Sequence, residues 1–197
     1  MSNIAKIETV TTNVPAAAHS KDTEISLEQM LEARERRVER QTALLRRFPG
    51  TLICFTLNIP GPRKTFPLAD WAFEEGKKRI ERQLSKNKIQ LADRSSYTEP
   101  TGYEAYYCVE RAQADQVKAL MCQLEDQDPL GRIFDIDVLR EDGEKISRTD
   151  LSLPGRQCLI CGSPAPICAR SRAHSVEELV TKISSIISET QASEGQQ

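Results

Sequence analysis

Near the beginning of the chain, apolar residues recur with the spacing of a helix. Ser26 and Gln29 have the spacing of a capping box, and Pro49, followed by glycine, ends the pattern. Arginines interlaced with glutamates occupy the opposite face, which is typical of a solvated surface. We therefore expect an apolar stripe of the helix to face the core. It is formed by Leu27, Met30, Leu31, Val38 and Leu45.

The middle of the chain alternates between strand and helix patterns. Runs rich in β-branched and aromatic residues predict strands, and apolar residues at helical spacing predict helices. A final helix begins at Ser175, which forms a capping box with Glu178 and precedes one apolar stripe. Before it, the pattern predicts a strand at 51–58, a helix at 68–86, strands at 88–93 and 104–110, a helix around 117–124, a strand at 133–140 and a return strand near Ile146.

This order of elements predicts an α+β protein with a mixed or antiparallel sheet. The series βαββαβ is typical of a ferredoxin-like fold and also suits the palm of a nucleotidyltransferase, here with additional helices at the N-terminal and C-terminal ends. Residues 1–24 and 188–197 are aperiodic or polar, so we expect mobile tails there. Residues 25–187 then form a single domain, which includes a cysteine-rich loop at 155–174.

Charge and composition narrow the class of function. With 27 Lys and Arg against 29 Asp and Glu, the net charge is -2, so no long-range basic field would gather nucleic acid or an anionic membrane. The sequence shows neither a membrane-spanning apolar run nor a secretion signal. We expect a cytoplasmic protein with no nucleic-acid or membrane partner, whose six cysteines are reduced thiols or metal ligands.

Two aspartates form the first candidate site. Asp135 and Asp137 lie two residues apart on a predicted strand, so their side chains point to the same face. Mg²⁺ takes one or two protein carboxylates and completes its coordination with water and phosphate oxygens, as in phosphoryl and nucleotidyl transfer. The same pattern also suits the wet face of an ordinary amphipathic strand.

Basic residues in two loops are candidates for binding phosphate. Gly131 and Arg132 precede the aspartate strand and would offer backbone N–H groups and a guanidinium, and Arg132 is also a candidate catalytic residue. Arg63 and Lys64 follow the first predicted strand in a loop stiffened by prolines. Both loops also suit an ordinary basic surface.

The cysteine-rich loop contains a possible zinc site. Cys158, Cys161, Cys168 and His174 would together supply a Cys₃His ligand set. Their spacing is tighter than that of common zinc ribbons, so buried thiols beside an independent histidine are the alternative. A redox Cys-x2-Cys motif is less favoured, because no thioredoxin-like strand leads into it.

The same loop is rich in arginine and free of acidic residues. Arg170 and Arg172 precede the N-terminus of the last predicted helix, where free backbone N–H groups favour anions. They are candidates for binding a polyphosphate. Solvated arginines before a helix start are the alternative interpretation.

Four blocks of sequence occur together in a recognisable order and spacing. They read PGPRKTFP, PLGRIFDIDVL, LPGRQCLICG and ICARSRAHSVEEL. On these blocks the chain is identified as a member of the citrate lyase holo-acyl-carrier-protein synthase family, over roughly residues 26–187. The second and fourth blocks are far more specific than Asp-x-Asp or Cys-x2-Cys alone.

The resemblance implies a transferase. Its substrate would be triphosphoribosyl-dephospho-CoA, from which phosphoribosyl-dephospho-CoA passes to a serine of the apo acyl carrier subunit of citrate lyase, with release of pyrophosphate. The resemblance also implies that Asp135 and Asp137 correspond to the metal-binding carboxylates of nucleotidyltransferases. Here Gly-Arg precedes them where that superfamily usually has Gly-Ser, so the palm fold stays open. Such a transfer needs Mg²⁺ at the phosphates and cations on the leaving pyrophosphate.

Two other classes of function also fit these residues. A non-catalytic, zinc-stabilised adaptor would grip an acidic carrier protein with its arginine-rich helix and cysteine loop, and would bind without turnover. A generic ferredoxin-like nucleotide-binding domain would bind nucleotide and ignore the carrier. Pyrophosphate release in the presence of Mg²⁺, precursor and apo carrier distinguishes the transferase from both.

Overall fold

The computed structural model of the protein describes residues 24–195. The predicted N-terminal tail up to residue 23 and the final two residues lie outside this range. Among the helices within it, none is both long and apolar enough to cross a membrane. The helices and strands are α1 (Leu27–Arg47), β1 (Thr51–Leu57), α2 (Pro67–Lys86), β2 (Leu91–Glu99), β3 (Gly102–Val109), α3 (Ala114–Asp126), β4 (Phe134–Leu139), α4 (Ala165–Ser171) and α5 (Val176–Glu194).

The strands form one antiparallel sheet in the order β2-β3-β1-β4. In central strand β1, Cys54 pairs with Tyr106 of β3 on one side and with Asp137 of β4 on the other. The expectation of an α+β protein with an antiparallel sheet and flanking helices is therefore confirmed. Because β4 lies at the edge of this sheet, its outer backbone groups need partners from other elements.

One face of the sheet carries the main apolar core. Alternate residues of β1, β3 and β4 point to this face and meet α2, α3 and α5. Phe55 of β1 is fully buried and stacks on Phe73 of α2, with 5.2 Å between the ring centroids. A Cβ atom at Gly76 would lie 2.3 Å from Phe55 Cζ, so α2 approaches the strand closely because residue 76 has no side chain.

Helix α1 lies on the opposite face. Leu45 of the predicted stripe packs against the apolar cluster there, but most of the stripe does not face the sheet. The arginine side of the helix meets the sheet, where Arg40 binds both Glu99 and Glu104. The prediction of a solvated arginine face was wrong, because glutamates on the strands supply partners for these guanidinium groups. Three residues of the stripe predicted to face the core are instead exposed, namely Leu27, Leu31 and Val38, at 76%, 49% and 60%.

Three local predictions also differ from the structure. Residues 188–194, predicted as part of a tail, continue α5, and Glu194 pairs with Arg79 at 2.7 Å. The predicted return strand near Ile146 is reduced to an isolated pairing of Leu139 with Lys145. The cysteine-rich loop contains helix α4, whose seven residues are too few to show a helical period.

Candidate active site and metal centre

The two aspartates lie on the exposed side of β4. The alternate residues of this strand enter the core, so both carboxylates point to the same face of the sheet, as predicted, and this is the face that α1 covers. The side chain of Asp135 is 50% exposed and that of Asp137 is 29% exposed. Lys145 Nζ lies 2.6 Å from Asp137 Oδ1, and Arg156 Nη1 lies 3.8 Å from Asp135 Oδ1. Each carboxylate therefore has a cation beside it.

Two buried side chains of α3 hold the outer edge of β4. Ile136 donates its backbone N–H to Glu125 at 2.9 Å, and its carbonyl accepts a hydrogen bond from Lys118 Nζ at 2.7 Å. Glu125 also pairs with Arg156 at 2.6 Å and with Arg148 at 2.7 Å, so its buried charge is compensated. This network fixes the residue between the two aspartates and places a guanidinium beside the first of them.

Sequence reasoning missed this network. Lys118 and Glu125 are seven residues apart, or about two helical turns, so they share one face of α3. That face also carries apolar residues, and charged residues within a buried stripe are the signal that could have found the pair. Arg156 lies at the start of the cysteine-rich loop, where nothing in the sequence distinguishes it from the other arginines of that loop.

A small cavity of about 150 Å³ adjoins Asp135 at the end of β1. Lys64, Arg34 and Asn58 are among its lining residues. Lys64 Nζ donates a hydrogen bond to the carbonyl of Ile59 at 2.6 Å. Burial, followed by the nearby charge of Arg34, lowers the pKa of Lys64. The structure therefore brings Lys64 to the same cavity as Asp135.

Two other predicted phosphate-binding residues are placed differently. The Arg63 side chain is 60% exposed and lies 3.8 Å from Glu24. Gly131 is buried, and its backbone N–H already donates to Asp128 Oδ1 at 2.9 Å. A Cβ atom at residue 131 would lie 2.1 Å from the carbonyl oxygen of Leu124. The glycine therefore serves close packing against the end of α3, and its N–H is not directed at a ligand.

The predicted cysteine and histidine ligands meet in space. The Sγ atoms of Cys158, Cys161 and Cys168 and a ring nitrogen of His174 all lie within 4.8 Å of one another. The Sγ atoms of Cys161 and Cys168 are 3.4 Å apart. His174 Nε2 is buried, and no hydrogen-bond partner for it lies among the described residues. The cluster could hold a metal ion.

Local contacts also change the pKa values of two thiols in this cluster. Hydrogen bonding with His174, and next with Ser163, lowers the pKa of Cys161 to about 6. The contact with Cys161 raises the pKa of Cys168 to about 11. Because the thiolate is the form that binds metals, Cys161 is better prepared than Cys168 to bind one at neutral pH. Cys158 donates its backbone N–H to the carbonyl of Ser163 at 2.6 Å, which closes the turn that carries two of the ligands.

The arginines of this region separate into two groups. Arg132 and Arg172 line a cavity of about 660 Å³ between α4, the start of α5 and the loop before β4. Arg172 ends α4 in a left-handed conformation, with φ of 50°. Arg170 is exposed and lies outside the lining of that cavity. A cavity of about 770 Å³ between α2 and α3 contains none of the predicted site residues.

Paired carboxylates beside a partly buried lysine and an arginine-lined cleft are typical of enzymes that act on phosphate-bearing substrates. Comparison with known families identifies the particular family within this broad class of enzymes. Residues 25–190 match the family described as apo-citrate lyase phosphoribosyl-dephospho-CoA transferase, and the chain belongs to this family. The identification made from the four sequence blocks is therefore confirmed.

Individual relatives match most of the chain. A protein of Vibrio cholerae serotype O1 named for this transferase is 38% identical over 166 residues, which cover 84% of this chain and 93% of the relative. A protein of the same name from Streptococcus pyogenes serotype M18 is 44% identical over 167 residues, which cover 83% of this chain and 85% of the relative. Protein CitXG of Haemophilus influenzae is 38% identical over 162 residues, which cover 82% of this chain and 35% of that longer protein.

Proposed function

We propose that this protein transfers phosphoribosyl-dephospho-CoA from triphosphoribosyl-dephospho-CoA to a serine of the apo acyl carrier subunit of citrate lyase, releasing pyrophosphate. The family match over residues 25–190 carries the proposal. Asp135 and Asp137 on one side of β4 support it. Attack of a hydroxyl on a phosphorus atom needs carboxylates that hold a metal ion and cations that bind the phosphates. The carrier and the precursor are the proposed partners. The near-neutral net charge gives no support for a nucleic acid or a membrane as a further partner.

Asp135 and Asp137 are the proposed ligands of a catalytic Mg²⁺. Two oxygen donors with a shared orientation and partial exposure suit this ion, which leaves most of its coordination to water and phosphate. When bound, the ion would polarise the phosphate oxygens and offset charge on the leaving group. Lys145 neutralises Asp137, and Arg156 helps to orient Asp135.

The proposed phosphate-binding cations differ in how well their positions support that role. Lys64 shares a cavity with Asp135, and Arg132 and Arg172 border the larger cleft. These three are the best placed to bind phosphate groups of the substrate. Arg63 and Arg170 are both exposed. They are proposed to contact phosphate only at the edge of the site.

The test of function is pyrophosphate release with Mg²⁺, triphosphoribosyl-dephospho-CoA and apo carrier present together. For Asp135→Asn, we expect transfer to fall by about 100-fold or more with an unchanged thermal midpoint, because the amide keeps the shape and loses the charge. Asp142→Asn is the matched control, since Asp142 lies in an exposed turn and asparagine can retain its hydrogen bond to the Glu144 N–H. Carrier binding without pyrophosphate release would instead identify a non-catalytic adaptor.

Zinc is the metal we propose for the cysteine cluster. Three thiols and one imidazole form a ligand set that zinc prefers in structural sites. Cys161→Ser should remove about one zinc per chain and lower the thermal midpoint, because metal binding contributes to folding. Cys122→Ser, outside the cluster, should retain the zinc. Protein purified without chelator that contains no stoichiometric zinc would refute this assignment.

The βαββαβ order and the strand order β2-β3-β1-β4 support a ferredoxin-like arrangement, which we propose as the fold. The carboxylates lie on the sheet face opposite α2 and α3, a position that also suits a nucleotidyltransferase palm. We place the protein in the cytoplasm, where the six free cysteines would stay reduced and able to bind metal.

A further inference from the structure

The cavity of about 660 Å³ has the size and composition of a small-molecule site. Its apolar floor is formed by Leu159, Val176, Leu179 and Ile183. Ile183 is buried, and Leu159 and Leu179 are half-buried. Cys168 and His174 form part of the wall, so the proposed zinc site would also shape this cavity. We call it the cysteine-loop cleft.

Three guanidinium groups line the same cleft. Arg132 donates to the backbone carbonyl of Gln157 at 2.7 Å, which fixes its direction. Arg156 is held by Glu125 at 2.6 Å, and Arg172 approaches from the end of α4. Guanidinium groups bind phosphates through paired hydrogen bonds, so a phosphate beside an apolar group is the chemistry that this cleft recognises.

Two features connect the cleft to the aspartates. Arg156 lines the cleft and lies 3.8 Å from Asp135. Asn58 lines both the cleft and the small cavity that contains Asp135 and Lys64. A ligand seated in the cleft would therefore have one end beside the proposed reaction centre.

We propose that the cysteine-loop cleft binds the dephospho-CoA part of the precursor. The adenine or the pantetheine chain would lie on the apolar floor, and the diphosphate would lie at Arg132 and Arg172. This assignment rests on the proposed function, because that function supplies the ligand. Binding this part, which does not react, would hold the triphosphate near Asp135 and Lys64 and so provide positioning for the transfer.

Calorimetric titration with dephospho-CoA tests the proposal without any transfer step. Ala169 lies in the cleft lining and Ile167 does not, although both belong to α4 and flank Cys168. Ala169→Phe should weaken dephospho-CoA binding by about 10-fold or more, because the ring would occupy the cleft. Ile167→Phe should leave it unchanged, since Ile167 is 60% exposed.

A second variant and a second ligand separate the apolar floor from the phosphate contacts. Arg132→Ala should also weaken dephospho-CoA binding about 10-fold, and Ala169→Phe should leave the affinity for inorganic tripolyphosphate unchanged. Zinc content and thermal midpoint should match those of the wild type in both Phe variants. The assignment would be overturned if Ala169→Phe bound dephospho-CoA as tightly as the wild type. It would also be overturned if Arg132→Ala weakened the binding of tripolyphosphate but not that of dephospho-CoA. Dephospho-CoA binding in the cleft without transfer to the carrier would leave it standing and refute the proposed function.

Discussion

The two faces of the sheet are held to their helices by different interactions. On the face toward α2, α3 and α5, the contacts are apolar and include the stacked rings of Phe55 and Phe73. On the face toward α1, a small apolar cluster around Leu52 and Cys54 adjoins ion pairs between arginines and glutamates. The candidate catalytic carboxylates lie on this second face.

This difference puts the candidate carboxylates where the sheet is less completely covered by apolar residues. A carboxylate on the core side would have to be neutralised or fully paired, as Glu125 is by two arginines. On the α1 side, Asp135 stays half exposed and open to a ligand. The charged face is suited to polar chemistry, and the apolar face stabilises the strand that carries it.

The largest effect on stability should come from the apolar face. Phe55→Ala should lower the free energy of unfolding by about 3–5 kcal/mol, because it removes a fully buried ring and leaves a cavity next to Gly76. Cys54→Ala changes the adjacent residue, which points to the α1 face, and should cost about 1 kcal/mol. Equal losses in urea unfolding would show that the two faces contribute alike.

The ion pairs of the α1 face should have the next largest effect. Glu104 is 7% exposed and accepts hydrogen bonds from Arg37 at 3.0 Å, Arg40 at 2.8 Å and Tyr106 at 2.5 Å. Glu104→Gln should cost about 2 kcal/mol in the same unfolding experiment, because two arginines lose a shared charge. Glu32→Gln is the control: its carboxylate is 60% exposed, lies 3.9 Å from Arg36, and should cost less than about 0.5 kcal/mol.

The contrast between the faces also explains what the sequence could predict. Helix α5 begins after the predicted capping box of Ser175 and Glu178, because that signal is local. The cysteine cluster was recognisable because its four ligands lie within one short segment. The orientation of α1 depends on glutamates about sixty residues further along the chain, and no local period reports such partners. For the same reason, the partners of Glu125 became visible only in the folded structure.

Acidification should weaken the α1 face selectively. Burial raises the pKa of Glu99, but hydrogen bonds from Arg40 and Arg36 outweigh burial and hold this pKa below the ordinary glutamate value of 4.5. A lowered folded-state pKa means that the contribution to stability is complete above pH 4.5 and is lost as pH falls through the folded value. The difference in unfolding free energy between wild type and Glu99→Gln should therefore be constant from pH 7 to about pH 5 and shrink toward pH 3. A difference that does not change with pH would exclude Glu99 as a source of acid sensitivity.

The smallest effect should come from the apolar residues on the outside of α1. Leu31→Ser should lower the unfolding free energy by only about 1 kcal/mol or less, because about half of the Leu31 side chain is already exposed (49%). Ala33 lies on the inward side of the same helix and is 3% exposed, so Ala33→Leu should cost about 1–3 kcal/mol through overpacking. The orientation predicted from the apolar stripe requires the reverse, with a loss of about 2 kcal/mol or more for Leu31→Ser and a tolerated Ala33→Leu. Urea unfolding of this pair therefore tests directly which side of α1 meets the sheet.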